Sequence, residues 1–168
     1  MKKGFTLLEL LIAISITAIF LGVGYAGYRD FSRRQEVLVA KRQMISDLRL
    51  AQKSALTGNK PTSCTTDFQG FDLTLTATSP VTYQIGANCV NPSSPSNPFR
   101  TVIKTVNLGS NISISPTSLS SILFQALGRG VTFSGGGSSV TYTLSSSALG
   151  GASSANQTVV ISQYGDIK

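Results

Sequence analysis

The chain opens with MKKGFTLLELLIAISITAIFLGVGYAGYRD (residues 1–30), and this segment decides the fold. From Phe5 to Tyr28 nearly every side chain is apolar, small or hydroxylated. At about 1.5 Å of rise per residue, a helix of this length crosses a hydrocarbon layer of about 30 Å. The segment nevertheless carries a carboxylate at Glu9, and an ionised carboxylate in hydrocarbon costs at least about 2.5 kcal/mol. A helix that served only as an anchor would not need this residue.

Two common classes of N-terminal segment fit less well. A secretory signal peptide has an apolar region of about 7 to 15 residues, ends in an A-x-A-like site and is removed. Here the basic part is only Lys2 and Lys3, the apolar block starts directly after Gly4, and no such site closes it. A simple signal anchor explains the length and the flanking lysines but leaves Glu9 unexplained. We therefore expect the hydrophobic helix to be retained.

The residues around Gly4 resemble a known processing motif. A short basic leader ends in Gly4, Phe5 follows, and Glu9 is the fifth residue counted from Phe5. This order is similar to the N-terminal segment of type IV pilins and type II secretion pseudopilins. The resemblance implies that a prepilin peptidase removes a leader, residues 1–4, by cutting between Gly4 and Phe5, and then methylates the new amine of Phe5. It also implies that residues 5–28 remain as a helix, first in the membrane and later in a filament core.

The same resemblance suggests what Glu9 does. The amine of Phe5 stays cationic after methylation, and in a filament it would lie in an apolar core among neighbouring subunits. Because a buried charge needs a partner, we expect Glu9 to pair with the Phe5 amine of its own or an adjacent subunit. Glu9 is therefore predicted to be an assembly residue that fixes axial register, and not a catalytic acid.

Helical periodicity continues through residues 29–58. Gly58, with a proline shortly beyond it, is a good stop signal, so one helix is predicted from about Phe5 to about Thr57. Apolar residues at steps of three, four and seven predict one face packed on a sheet. They are Phe31, Val37, Leu38, Met44, Ile45, Leu48, Ala51 and Ala55.

This amphipathic stem is basic. Between Arg29 and Lys60 it carries eight Lys or Arg residues against three Asp or Glu, a net charge of +5. Nucleic-acid binding is possible but not favoured, because few aromatic side chains lie near enough to stack on bases. We interpret the charge as a solvated helix face or as subunit contacts along a filament.

Residues 61–168 change to alternation of period two, which predicts half-buried strands. Residues 92–98 are predicted to be an exposed loop, 134–138 a hairpin connection and 145–156 a flexible loop. This part is long enough for one hydrophobic core, so a β-rich globular head is expected. The clearest strand segments are 71–77, 81–85, 112–114 and 140–144, and further candidates are 101–108, 122–125, 130–133 and 158–162.

Two other parts of the chain, residues 45–55 and 122–167, resemble the GspH/FimT group of minor pseudopilins and pilins. The resemblance implies an α+β, pilin-like fold. In this fold a long N-terminal α-helix, transmembrane in its first half and amphipathic in its second, packs on an antiparallel β-rich globular head. The chain departs from the pattern of this group in two places. Residues 125–127 lack the proline that often precedes the glycine at position 128, and residues 165–168 lack the two arginines of DNA-binding members. DNA uptake is therefore not favoured.

Cys64 and Cys89 are the two cysteines of the chain. A bond between them would close a loop of about 26 residues and remove denatured-state entropy worth about 3.5 kcal/mol in the chain-entropy model. Both belong to the part of the chain expected to be exported, where oxidising conditions favour a disulfide. Two buried free thiols are the alternative. A metal site is not expected, because the chain has no His and offers no third soft ligand.

The sequence favours a structural role over catalysis. It contains no His base, its carboxylates are scattered, and the glycine runs 128–130 and 135–137 do not open a helix after a strand as a phosphate loop does. We expect no catalytic residue and no cofactor. The predicted function is that of a minor pseudopilin or minor type IV pilin.

The partners expected from the resemblance are other pilin or pseudopilin subunits, the prepilin peptidase, an inner-membrane assembly platform and, before assembly, membrane lipid. The chain would cross the bacterial inner membrane once, with its head in the periplasm or outside, and would then enter the filament. The alternative function is a DNA-binding or adhesive tip pilin, in which the loops 92–98 and 135–137 carry recognition.

Overall fold

The structure, a computed structural model, describes residues 6–76, 80–91, 99–116, 121–148 and 155–168. One helix, α1 (Leu7–Leu56), covers the first third of the chain. It ends where the sequence predicts, because the Thr57 N–H donates to the Lys53 carbonyl at 3.0 Å and Gly58 follows with φ of +63°. Glycine adopts this left-handed conformation without steric cost, so it closes the helix.

In the described parts of the chain, eight strands form two antiparallel sheets. The five-stranded sheet has the order β3-β2-β1-β5-β6, and the three-stranded sheet has the order β4-β7-β8. A 3-10 turn, Ala126–Gly128, separates β5 from β6. The strands are β1 (Phe68–Thr76), β2 (Thr82–Cys89), β3 (Phe99–Asn107), β4 (Ile112–Ser115), β5 (Ser121–Gln125), β6 (Val131–Phe133), β7 (Ser139–Ser146) and β8 (Gln157–Ser162).

The register of each sheet follows the alternation of the sequence. In the larger sheet Leu73 lies opposite Ile85 on β2 and opposite Ile122 on β5, and all three side chains are buried. In the smaller sheet Tyr142 lies opposite Val159, and both are completely buried. Successive side chains of a strand point to opposite faces, so these residues form the inner faces that cover the stem helix.

Both sheets pack on the second half of α1, in residues 29–56, and bury one stripe of it. The stripe differs from the predicted one at its start and in its middle. Phe31 is 58% exposed, and Leu38 and Ile45 are only half-buried, whereas Ala40 and a carboxylate, Asp47, are buried. Its other buried members are Val37, Met44, Leu48, Ala51 and Ala55.

The α+β, pilin-like architecture is confirmed: one long helix packs on an antiparallel β-rich head. One local prediction is wrong. Residues 134–138 do not close a hairpin, because β6 pairs with β5 while β7 pairs with β4 and β8. The segment instead carries the chain from one sheet to the other. The first two residues of the predicted loop 145–156 belong to β7, which continues to Ser146, and residues 149–154 of that prediction lie outside the described residues. The predicted exposed loop 92–98 lies outside the described residues.

Candidate functional site

The first half of α1 is apolar, and its described side chains are not packed against the described part of the head. All described side chains from Thr6 to Asp30 are exposed, including Leu7 at 81%, Ile19 at 68% and Phe20 at 75%. The helix contains an 18-residue window with a mean hydropathy of 2.3, and none of that window is buried. By length and composition this helix could cross a membrane, and its described apolar side chains have no cover from the described parts of its own chain.

Hydroxyl groups within the apolar half are satisfied by the helix itself. Ser15 donates to the Leu11 carbonyl at 2.8 Å, and the Thr17 hydroxyl lies 3.0 Å and 2.9 Å from the carbonyls of Ala13 and Ile14. Such bonds to the preceding turn hide polar hydroxyls from an apolar environment. These residues therefore add little polar surface to a helix that otherwise suits hydrocarbon or a packed helix bundle.

Glu9 lies in the first turn of α1. The Thr6 hydroxyl caps the helix by accepting a hydrogen bond from the Glu9 N–H at 3.3 Å. A negative side chain at this end also interacts favourably with the helix dipole. The Glu9 side chain is exposed and forms no ion pair with any described residue. Gly4 and Phe5, the predicted cleavage and methylation residues, lie outside the described part of the chain.

The second half of α1 is joined to the head by a polar network centred on Asp47. This carboxylate is 3% exposed. The Tyr83 hydroxyl of β2 donates to its Oδ2 at 2.7 Å, and Lys104 of β3 donates to its Oδ1 at 2.7 Å. Gln43 of α1 adds a third donor at 3.1 Å from Oδ2. The helix is thereby linked to two adjacent strands through one buried side chain.

The charge of Asp47 is maintained inside the head. Burial by itself disfavours the carboxylate, but hydrogen bonds from Lys104, Tyr83 and Gln43 outweigh that effect and hold the pKa of Asp47 below its ordinary value. The contact between Asp47 and Tyr83 has the opposite effect on the pKa of the Tyr83 phenol. Burial first, and then the neighbouring Asp47 carboxylate, raise the pKa of Tyr83. At neutral pH the network therefore contains an ionised Asp47 and a neutral Tyr83.

A second ion pair lies on the other face of the large sheet. Asp72 alternates with Leu73 on β1, and Arg100 of β3 donates through Nε to its Oδ2 at 2.7 Å. The same guanidinium donates to Thr74 and to the Gln84 side chain at 2.8 Å and 3.1 Å. A Cβ at Gly86 would come within 2.8 Å of Arg100 Nε, so the absence of a side chain there leaves room for the pair. Arg100 thus ties three strands together.

The structure contains a disulfide between Cys64 and Cys89, as the sequence predicts. Their Cα atoms are 5.8 Å apart, which is within the range for such bonds, and the two residues are 3% and 1% exposed. The bond ties the segment that follows α1 to the end of β2. No group of three or more potential metal ligands occurs within the described ranges.

Sequence reasoning missed Asp47, which it counted among the solvated stem charges. A signal was present: Asp47 falls three residues after Met44 and four before Ala51, on the stripe that the apolar residues mark as buried. A carboxylate on such a stripe requires buried donors. Its donors could not be identified, because Tyr83 and Lys104 are 36 and 57 residues away in the sequence.

Comparison with known families agrees with this geometry. Residues 1–25 match the model of the prokaryotic N-terminal methylation motif, and residues 40–165 match that of type II transport protein GspH. No curated protein and no solved structure matches the chain. The second family match starts in the stem and continues through β8, which is well over half of the chain. The chain therefore belongs to the GspH family of pilin-like type II transport proteins.

Proposed function

We propose that the protein is a processed minor subunit of a type II secretion pseudopilus or a type IV pilus, assembled through the first half of α1. The observation that carries the proposal is the contrast between the two halves of this helix. Described side chains before Phe31 are exposed, whereas Val37 and Met44 in the second half are completely buried against the head. Within a single subunit, the second half of α1 is thus packed on the head, whereas the described side chains of its apolar first half are left without a partner.

An uncovered apolar helix of this length needs an environment that excludes water. Monomeric soluble proteins rarely expose contiguous apolar patches larger than a few hundred Å². A lipid bilayer would cover the helix before assembly, and helices of neighbouring subunits would cover it afterwards. In this arrangement the chain crosses the bacterial inner membrane once, with its head on the periplasmic side, before the assembly platform transfers it to the filament.

Processing would prepare the helix for this transfer. Cleavage between Gly4 and Phe5 by a prepilin peptidase removes the two leader lysines and creates a new amine, which is then methylated. The Glu9 side chain is exposed and unpaired among the described residues, so it is available to this amine. Pairing of the two charges would allow both to enter an apolar filament core.

We assign the protein no catalytic role, and DNA binding or adhesion by the head stays the less favoured function. Two of the cations of the head, Arg100 and Lys104, are already held by Asp72 and Asp47. A phosphate-binding surface requires accessible Lys and Arg side chains gathered on one face. The described head residues therefore favour a structural subunit.

The test is coexpression of the full chain with a prepilin peptidase and the other subunits of its filament system. We expect a mature N-terminus at Phe5, determined by sequencing, and the chain in sheared filaments. Gly4→Val should block the cut. The matched control for cleavage is Gly22→Val, which adds the same side chain farther along the helix, where a Cβ meets nothing within 4 Å in the subunit, and should leave the cut after Gly4 unchanged. Cleavage at Ala13 or Ala26, or absence of the chain from filaments, would contradict the proposal.

A further inference from the structure

The side of α1 that faces away from the sheets carries a continuous exposed stripe. We define the outer stem face as Val39, Arg42, Ser46, Arg49, Lys53 and Leu56, all of which are exposed. Their spacing alternates between three and four residues, which keeps them on one side of a helix. This is the spacing by which one helix packs along another in a coiled coil.

The centre of the outer stem face is positively charged. Arg42, Arg49 and Lys53 lie within about 17 Å along the helix, at about 1.5 Å per residue. None of them forms an ion pair with a described carboxylate. Within the described ranges, these three side chains form one hydrogen bond, from Arg49 to the Ile167 carbonyl, and it is long at 3.5 Å. These positive charges are therefore not neutralised by the subunit itself.

Exposed apolar side chains flank this charge. Val39 and Leu56, at the two ends of the face, are 60% and 53% exposed, and Leu50 beside it is 58% exposed. A surface of basic residues bordered by aliphatic ones can bury area against a helix while its cations meet carboxylates. This combination is typical of protein contacts in which electrostatic complementarity selects the partner.

A second copy of the chain does not fit the outer stem face. Of the three stem carboxylates, Asp47 is buried on Lys104 and Glu36 is paired with Arg33. Only Asp30 is exposed without an ion pair among the described residues, against eight Lys or Arg residues, so the stem of another copy would present mainly like charge. Like charges placed together at an interface exclude a partner. The face thus requires a chain of different sequence.

Lipid and nucleic acid fit less well than a protein. Arg42 lies 14 residues beyond Tyr28, which places it about 21 Å past the end of the apolar span along the helix axis. This is too far for lipid headgroups next to that span. A single-stranded nucleic acid would use aromatic side chains for stacking, and the outer stem face has none.

We infer that the outer stem face binds the stem helix of a different, acidic subunit in the same filament. The stem helix of this partner would carry carboxylates spaced by seven and four residues to meet Arg42, Arg49 and Lys53, with aliphatic residues at both ends. This inference rests on the proposed function. It implies that the neighbours of this subunit in the filament are chains of a different sequence and not further copies of itself, as expected for a minor component.

Charge reversal in the full chain tests the inference. Arg42→Glu, Arg49→Glu and Lys53→Glu are combined in one variant and expressed with the peptidase and the other subunits. We expect normal processing, an intact Cys64–Cys89 bond and at least about a tenfold loss from sheared filaments, because attraction becomes repulsion. The matched control combines Lys60→Glu, Arg129→Glu and Lys168→Glu, which changes net charge equally at other exposed residues and should be incorporated normally.

Normal incorporation of the stem variant would overturn the inference and leave the proposed function standing. Absence of the unaltered chain from filaments would overturn the proposed function itself. A loss with the control variant equal to that with the stem variant would show an effect of net charge alone, and would also overturn the inference. Replacing the same three residues by Gln should give a smaller loss than replacing them by Glu.

Crosslinking identifies the partner. Ser46→Cys provides a single free thiol on the outer stem face, because both native cysteines are bonded to each other. A thiol-anchored benzophenone on this residue should crosslink, in filaments, to a different subunit within a helix that carries carboxylates at the stated spacing. Adducts confined to a second copy of this chain, to lipid or to nucleic acid would overturn the inference.

Discussion

The Tyr83 hydroxyl on β2 lies 2.7 Å from the Asp47 carboxylate on α1, and this contact joins the stem helix to the sheet. Lys104 on β3 neutralises the same carboxylate at 2.7 Å. Apolar packing is non-directional, so it restricts the axial position of the helix less sharply than a paired polar group does. A buried carboxylate with fixed donors is matched only in one register. We interpret Asp47 as the residue that sets where the head sits on the stem.

Removing the acceptor should destabilise the head more than removing one donor. Asp47→Ala leaves the buried Tyr83 hydroxyl without its partner, at a cost of about 1 to 3 kcal/mol for a buried unsatisfied group. It also removes the ion pair with Lys104, whose side chain is 40% exposed and can be solvated by water. Tyr83→Phe leaves Asp47 with Lys104 and Gln43 and should cost about 1 kcal/mol. Denaturant unfolding of the detergent-solubilised chain measures both. An Asp47→Ala variant as stable as the parent would contradict the role given to Asp47.

The Asp47 contribution has a defined dependence on pH. Its pKa is lower in the folded chain than in the unfolded chain, so its stabilising effect is complete above the unfolded value of about 4. The effect is lost as the pH falls through the lowered value. The difference in unfolding free energy between the parent and Asp47→Ala should therefore be constant near neutrality and shrink below about pH 4.

Replacement of Tyr142, another buried tyrosine of the core, should have the opposite effect on stability to replacement of Tyr83. Tyr142 is completely buried, and its hydroxyl has no hydrogen-bond partner among the described residues. A buried hydroxyl without a partner costs about 1 to 3 kcal/mol, so Tyr142→Phe should raise the free energy of unfolding. The pair of variants is a matched test, since the same chemical change is expected to destabilise at Tyr83 and to stabilise at Tyr142.

Alkaline unfolding provides a further readout of Tyr142. Burial raises the pKa of Tyr142 to about 12, so the unfolded chain loses this proton first, near pH 10. Stability should fall as the pH rises from about 10 toward 12. Tyr142→Phe should make that decline shallower. The decline in stability that persists in this variant would then reflect Tyr83, whose pKa is also raised. Identical alkaline curves for parent and variant would show that Tyr142 is not the group responsible.

The disulfide should contribute measurably to the head. Non-reduced mass spectrometry of the exported chain should show one intramolecular bond between Cys64 and Cys89. Replacing both by Ser should lower the free energy of unfolding by about 3.5 kcal/mol in the chain-entropy model, since the loop spans about 26 residues. Alkylation of both thiols without a reductant would contradict the bond.

Most of the architecture could be predicted from the period of the apolar residues. Steps of three and four mark α1, and strict alternation marks strands such as β7, because each period places apolar side chains on one face. Alternation does not say which strand lies next to which. The division into two sheets, with β6 and β7 in different ones, therefore required the tertiary structure. For the same reason, the sequence does not show that Tyr83 and Lys104, which lie on neighbouring strands, donate to Asp47.

The assembly role proposed for Glu9 stays a prediction, and it rests on a different kind of sequence signal. A carboxylate inside an apolar segment is costly wherever the segment lies, so the sequence alone indicates that Glu9 needs a compensating partner. The structure adds that this side chain has no ion-pair partner within the described part of its own subunit. The partner proposed for it, the Phe5 amine, would exist only after processing.

Glu9→Ala should separate processing from assembly. In a filament core this change would leave the Phe5 amine buried without a partner, and breaking a buried ion pair in this way costs about 3 to 5 kcal/mol. In the bilayer the amine lies near an interface where water solvates it, and loss of a carboxylate makes the span more apolar. We expect normal cleavage at Gly4 and normal membrane levels, with little chain in sheared filaments.

The control is Glu9→Gln, which keeps the size and polarity of the side chain but removes its charge. If charge pairing is the function of Glu9, this variant should also be cleaved and should also fail to assemble. Assembly of Glu9→Gln but not of Glu9→Ala would indicate that a hydrogen bond is sufficient. Normal incorporation of both variants would show that Glu9 does not set the register of the subunit, and the exposed carboxylate in the first turn of α1 would then require another partner.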